Sequence, residues 1–232
     1  MQIPIFKQLK LLPKTLKNGL SANAFKVDVT NPSSNQEMAA YAYSLFNRLD
    51  ILIICATLDP KFDNEHADQF IHGFVDFPLE LWQRALEINI TGTYLSTQSC
   101  IPYMLKNQYG VLVLISSIYG LVGPDQRIYQ QKDSITQSKP PFYPVTKSAI
   151  LGLVKYLAAF YAGQPIRANA LSPGGVYNGQ SEEFIRQYSS RSIIGRLAKE
   201  DEMNGALLFL ASPASDYMTG ANLVVDVGWM TW

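Results

Sequence analysis

A tyrosine and a lysine stand four residues apart in Tyr143-Pro144-Val145-Thr146-Lys147. On a helix that spacing puts both side chains on one face. Pro144 is tolerated in a helix's first turn, where its missing N–H has no partner to lose, so a helix should start near Tyr143. An ammonium beside a phenol favours the phenolate, which is expected to bring the Tyr143 pKa down from about 10 and make it an acid–base near neutrality. Ser117, in Ser116-Ser117 after an apolar run, offers a hydroxyl that could hold a carbonyl or alcohol oxygen. Asn89, in Glu87-Ile88-Asn89-Ile90-Thr91-Gly92, has an amide that could order a water or a backbone carbonyl. The chemistry this set suits is proton transfer at an alcohol or carbonyl oxygen. Each feature alone recurs by chance in many chains, and their order and context give them weight.

These residues need a scaffold, and the chain alternates strand and helix signals. Phe25–Val29 reads as a short strand, Thr30–Ser34 as a turn and cap, and Gln36–Asn47 as a helix. Leu49–Ala56 is a nearly continuous apolar run, predicting a strand buried on both faces. Leu79–Lys106 reads as mostly helical, with Leu81, Ala85, Ile88, Gly92, Leu95 and Ser99 on a buried stripe. Gly110–Ile115 is a second buried strand ending at Ser116-Ser117. Gly123–Phe142 reads as a long polar loop, and Tyr143–Ala162 as a helix. Arg167–Leu171 is a third strand, closed by Ser172-Pro173-Gly174-Gly175. Polar helix Ser181–Arg191, amphipathic helix Glu200–Ala211 and strand Leu223–Asp226 follow. Such alternation predicts one doubly wound α/β domain over residues 1–232, with a parallel sheet and helices on both faces. Ligands of such sheets bind beyond the carboxyl ends of the strands, which is where Ser117 and Gly174 fall.

Composition narrows the partners. Lys+Arg and Asp+Glu are equal at 19 each, leaving no electrostatic case for nucleic acid or an anionic membrane. No apolar run reaches the 18 or so residues of a membrane span. Lys7, Lys10, Lys14 and Lys17 interrupt the N-terminal stretch too often for a signal peptide, so a cytoplasmic protein is expected. Cys55 and Cys100 both lie in apolar surroundings and are expected to be buried free thiols. No metal-ligand cluster is evident, and His66 and His72 fall in a polar segment expected at the surface.

Asn89, then Ser117, then Tyr143-x-x-x-Lys147 resembles the catalytic tetrad of the short-chain dehydrogenase/reductase family. Val27-Asp28-Val29-Thr30 is similar to that family's adenine-side strand end. Asp50–Ala56 stands where the family has an Asn-Asn-Ala-Gly strand, and Ser172–Val176 resembles its Pro-Gly turn beside the nicotinamide. Tyr217–Gly220 with Val224-Val225-Asp226 resembles its C-terminal strand. The resemblance implies a Rossmann-like fold, NAD or NADP as cofactor and a small alcohol or carbonyl substrate. It makes Tyr143 the acid–base, Lys147 its tuner and ribose ligand, Ser117 the oxygen holder and Asn89 the support of a relay water. Asp28, Val29, Cys55, Ala56, Pro173, Gly174 and Val176 would border the cofactor together with Tyr143 and Lys147. It also implies a homodimer or homotetramer, since the family often pairs the helices at Leu79–Lys106 and Tyr143–Ala162 across an axis.

The chain departs from the family in three ways. Thr-Gly-x-x-x-Gly-x-Gly, whose glycines let backbone N–H groups approach a pyrophosphate, occurs nowhere in it. The stretch ahead of Asp28 is short for the family's first strand–helix–strand unit of about 30 residues, so that unit is expected to be absent and the sheet incomplete, with an unpaired edge and exposed apolar faces. Three readings stay open: a truncated product or mis-started frame, a gap filled by atypical residues 1–24, or lost catalysis with a retained binding role. Ile54-Cys55-Ala56-Thr57 also replaces Asn-Asn-Ala-Gly. Finally, Ser117 and Tyr143 are 26 residues apart, wider than the family's common spacing, with a polar loop between them from Pro124 to Pro141. That loop holds Asp125, Arg127, Tyr129, Gln130, Gln131 and Lys132 and suits a hydroxyl-rich substrate such as a sugar. With its Ser-Ser-Ile-Tyr-Gly strand end, it resembles family members of bacterial surface-sugar and flagellin-modification pathways.

Overall fold

The computed structural model describes residues 22–59, 73–129 and 138–232. The basic N-terminal stretch to residue 21, His66, His72, Gln130, Gln131 and Lys132 lie outside the described residues. Among the described residues four strands form one parallel sheet in the order β1-β2-β3-β4: Ile51–Ile54, Gly110–Ile115, Ile166–Pro173 and Asn222–Val225. Parallel neighbours need crossovers, and helices supply them. Helix α1 spans Pro32–Phe46, α2 Leu79–Leu86, α3 Gly92–Lys106, α4 Phe142–Phe160, α5 Glu182–Ser189 and α6 Asn204–Ala211.

The strands sort their side chains by parity. Ile54, Leu112, Leu114, Ala168 and Ala170 point to one face and pack with Ala39 of α1, Cys100 and Met104 of α3, and Ile150, Val154 and Leu157 of α4. Val111, Val113 and Leu171 point to the other and meet Leu210 of α6. Strand β2 is buried on both sides, as its unbroken apolar run predicts. Strand β1 is not. Ile51 and Ile53 remain about two-fifths exposed, at 42% and 39%, because α6 covers β2 and β3 and stops short of β1. The expectation of a strand buried on both faces fails there, and Ile51 and Ile53 add apolar surface to that face.

Two further expectations are corrected. Phe25–Val29 forms no strand. No described strand lies beside it, and its backbone is taken up locally: Asn35 Nδ2 donates to the Val29 carbonyl at 2.9 Å, while Phe25 stacks on Tyr41 of α1. The buried stripe of the long helical stretch also shifts. A π-turn at Glu87–Thr91 separates α2 from α3 and widens one turn. Ala85, Ile88 and Gly92 are buried as expected, but beyond the π-turn burial falls on Ser96, Thr97, Cys100 and Ile101, not on Leu95 and Ser99. Helix α4 starts where Pro144 predicts, one residue ahead of Tyr143. Among the described residues no helix is long and apolar enough to cross a membrane.

Candidate functional site

The carboxyl ends of β1, β2 and β3 and the first turns of α4 converge on a cavity of about 600 Å³. It is lined by Ser117, Tyr143 and Lys147, and across from them by Pro173, Gly174, Gly175 and Val176. Each side chain is put there by a local device. Ser117 ends the run after β2 and caps the short turn Ile118–Gly120, its Oγ accepting from the Tyr119 N–H. Tyr143 and Lys147 enter on the first turns of α4, one helical repeat apart. The Pro173–Val176 turn is pinned by Tyr188 of α5, whose hydroxyl accepts from the Gly175 N–H at 2.5 Å and whose ring stacks on Trp229. Only glycine fits at 175, since a Cβ there would stand 2.7 Å from the Tyr188 ring.

Burial dominates the electrostatics. Lys147 is 5% exposed, its Nζ donates to the Ile115 carbonyl at 3.1 Å, and desolvation lowers its pKa to about 8, against the opposing pull of the Asp59 carboxylate. The Tyr143 phenol is pushed well above the ordinary range by burial first and the Asp59 charge second, while a hydrogen bond from Ser117 pulls it down. The expectation that Lys147 brings Tyr143 toward neutrality is thereby corrected. Its Nζ stands 5.6 Å from the centre of the Tyr143 ring, and desolvation of the phenolate outweighs it.

Asn89 is buried in the π-turn and does not line the cavity. Its side chain clamps the segment that leaves β1: Oδ1 accepts from the Leu58 N–H at 2.6 Å, and Nδ2 donates to the Leu58 carbonyl at 3.3 Å and the Thr146 hydroxyl at 3.1 Å. A backbone carbonyl is thus among its partners, as its amide suggested. Beyond β1 the chain presents alternate residues, Cys55, Thr57 and Asp59, to the cavity. Cys55 is exposed, not buried as expected, because the strand end faces open space; Cys100 is buried. Ala56, Asp28 and Val29 do not line the cavity. The Asp28 carboxylate instead closes its own turn, accepting from the N–H and hydroxyl of Thr30.

Three further residues at the site were not singled out by sequence reasoning. Lys139, in the Pro124–Pro141 loop, is 7% exposed and reaches Asp59 at 2.5 Å. Its Nζ also sits 3.8 Å from the centre of the Tyr143 ring. Thr57 Oγ1 is buried without a hydrogen-bond partner, and is the one such side-chain atom among the described residues. A length of polar loop was the only signal for Lys139; Asp59 and Thr57 gave none. The loop is held to the segment just after α5 by Arg191 and Asp125 at 2.9 Å, and hydrogen bonds from Arg127 hold the Asp125 carboxyl at about 2. Tyr129, which the sequence did single out, is buried and lines the cavity.

A dinucleotide's two ends meet different fits. At the nicotinamide end, Thr57 Oγ1 is an orphaned polar atom and Lys147 Nζ a buried cation, both on the cavity wall and suited to ribose or amide groups. At the pyrophosphate end, the sequence has no glycine-rich turn to supply backbone donors.

A family model described as Enoyl-(Acyl carrier protein) reductase matches residues 7–230. The chain is 28% identical over 217 residues to an L-rhamnose 1-dehydrogenase (NAD(P)(+)) of Sphingomonas sp., covering 90% of this chain and 76% of that protein. It is 29% identical over 222 residues to a 2-dehydro-3-deoxy-D-gluconate 5-dehydrogenase of Bacillus subtilis, covering 93% and 78%. A short-chain dehydrogenase from Leptospira borgpetersenii, solved with bound NAD+, superposes with a TM-score of 0.76 at 31% identity, covering 88% of this chain and 74% of that one. The Rossmann-like sheet, the ordered Ser117–Tyr143–Lys147 constellation at its strand ends and these matches agree: the chain belongs to the short-chain dehydrogenase/reductase family of NAD(P)-dependent oxidoreductases.

Proposed function

We propose that this chain interconverts an alcohol and a carbonyl on a sugar or sugar derivative, with Tyr143 as the acid–base. The observation that carries the reading is the convergence of Ser117, Tyr143 and Lys147 on one cavity at the strand ends. Tyr143 gives its phenolic proton to the carbonyl oxygen in reduction and takes it back in oxidation. Ser117, on the same cavity wall as the phenol, holds that oxygen. Lys147 and Thr57 Oγ1 hold the ribose side of NAD or NADP, and the Pro173–Val176 turn borders the nicotinamide. The bound nicotinamide supplies or accepts the hydride. Asn89 acts through Leu58, setting the cavity wall. Relatives named for rhamnose and for a deoxygluconate support a hydroxyl-rich substrate, as does the polar aromatic wall of Tyr119, Tyr129 and Tyr188.

The chain is read as one domain that works in the cytoplasm as a homodimer or homotetramer. Tyr94 on α3 and Val145, Tyr156 and Phe160 on α4 are exposed, and they support association through these helices. Fluorescence titration of NADH and NADPH, with turnover assayed on L-rhamnose and D-gluconate, tests the reading. Saturable cofactor binding with turnover that disappears in Tyr143→Phe is expected; well-folded protein that binds neither nucleotide would defeat it. In that outcome a non-catalytic subunit pairing through α3 and α4 becomes the better account, and sedimentation would then show a stable dimer.

A further inference from the structure

We propose that Asp59, held by Lys139, is a substrate-reading residue that selects neutral hydroxyl-bearing substrates over carboxylate-bearing ones. The inference rests on the oxidoreductase reading above only for the identity of the reacting centre.

The geometry begins at Asn89. By clamping the N–H and carbonyl of Leu58 it fixes the backbone one residue short of Asp59. The extended chain then turns Asp59 to the cavity on the same side as Cys55 and Thr57. Lys139 closes on it from the Pro124–Pro141 loop, Nζ to Oδ1. The ammonium is 7% exposed and lies over the Tyr143 ring, while the carboxylate is 37% exposed. The cation is therefore the buried anchor of the pair, and the anion is the member offered to a ligand. Asp59 Oδ1 is taken by Lys139, and among the described residues nothing bonds Oδ2.

Charge then decides the ligand. A carboxylate keeps acceptor capacity on both oxygens and has no proton to give, so it draws O–H donors. A second carboxylate placed near it in a partly desolvated cavity is repelled. Lys139 does not rescue such a ligand, because its charge is already matched by Asp59. Lys147, the other cation on the wall, faces the Ile115 carbonyl. The remaining polar lining is neutral apart from Glu200: tyrosine hydroxyls at 119, 129 and 188, and the amides of Asn178 and Gln180. A sugar hydroxyl close to the reacting carbon fits this wall, and a sugar acid's carboxylate does not.

Binding can be read without turnover. Saturation-transfer NMR with L-rhamnose and L-rhamnonate on the wild-type chain is expected to favour the neutral sugar at least tenfold in affinity. Asp59→Asn keeps the shape but removes the charge, and should bring the two ligands to within about threefold. The Asp59→Asn/Lys139→Met double variant guards against a buried lysine left alone, and should show the same loss of preference with a cooperative melt. Equal binding or a preference for rhamnonate in wild type, or an unchanged preference in both variants, would overturn the inference, as would no saturation transfer from either sugar. Parallel NADH titration separates the two claims. A chain that binds no nucleotide but keeps a charge-dependent sugar preference fails the oxidoreductase reading and keeps this one.

Discussion

Tyr143 is the residue on which the chemistry turns, and its burial sets the direction of its pH response. A phenol raised by desolvation is a poor base until the pH climbs or a cation arrives. Alcohol oxidation should therefore still be rising with pH at about pH 9, while carbonyl reduction, which uses the protonated phenol, stays level across the same interval. Initial rates in both directions check this. Tyr143→Phe removes the proton donor and is expected to lower kcat by about 10²–10⁴-fold while the melting temperature stays near wild type. Lys147 carries a different signature. Its pKa is lowered from 10.5 to about 8, so between those values the unfolded chain holds more protons than the folded one. Stability contributed by this group is thus lowest below pH 8 and rises toward pH 10.5, with about 3 kcal/mol at stake at neutral pH. Tyr119 works the opposite way, since its pKa is raised from 10 to about 12 and its contribution is lost as pH passes through that window. Lys147→Met should melt higher than wild type at pH 7, lose the rise between pH 8 and 10, and be inactive. Urea titrations at pH 7 and 10 measure it.

Elements place these residues, and the junction between the Ile118–Gly120 turn and α4 is held from both sides. Ser116 Oγ donates to the Lys147 carbonyl at 2.8 Å, and Ser148 Oγ returns a bond to the Gly120 carbonyl at 2.9 Å. A Cβ at Gly120 would lie 2.8 Å from the Lys147 carbonyl oxygen, a backbone atom with nowhere to go. Gly120→Ala is expected to cost about 1–3 kcal/mol and to lower kcat more than it raises KM, because it displaces Lys147. Steady-state kinetics with thermal melts check both effects. Much of this level was legible in the sequence. Pro144 marked the start of α4, apolar runs marked β1 and β2, and Tyr143 with Lys147 announced a shared face. What stayed hidden depends on partners distant in sequence. Phe25–Val29 has strand composition, yet a strand needs a neighbour and none is described beside it. The π-turn at Glu87–Thr91 leaves no periodic trace in a stretch this short, so the stripe beyond it was placed one residue early. Asp59 and Lys139 lie 80 residues apart, each in a segment without periodicity, and only the fold brings them to one cavity.

At the scale of the molecule, one sheet face is, among the described residues, finished over β2 and β3 and open over β1. Leu210 of α6 covers Val111, Val113 and Leu171, which are fully buried, while Ile51 and Ile53 on the same face reach solvent. At the end of α1, Leu45 and Phe46 add to the exposed apolar surface near this strand. Energetically the two halves of one face should behave as different materials. Val113→Ala removes a fully buried side chain and is expected to cost about 1.5–3 kcal/mol, read as a fall in the urea midpoint at constant slope. Ile51→Thr and Ile53→Thr together remove side chains already partly hydrated, and threonine keeps the β-branched shape that strands favour. Their combined cost is expected to stay below about 1 kcal/mol. Apolar residues along a strand edge that has no partner among the described residues also invite edge-to-edge pairing between copies. The threonine pair should therefore raise the concentration at which light scattering first appears, leaving any dimer formed through Tyr94, Val145, Tyr156 and Phe160 intact. Equal destabilisation by the buried and exposed substitutions would mean that Ile51 and Ile53 are covered in solution, and sedimentation velocity on the same variants would show whether a second copy does the covering.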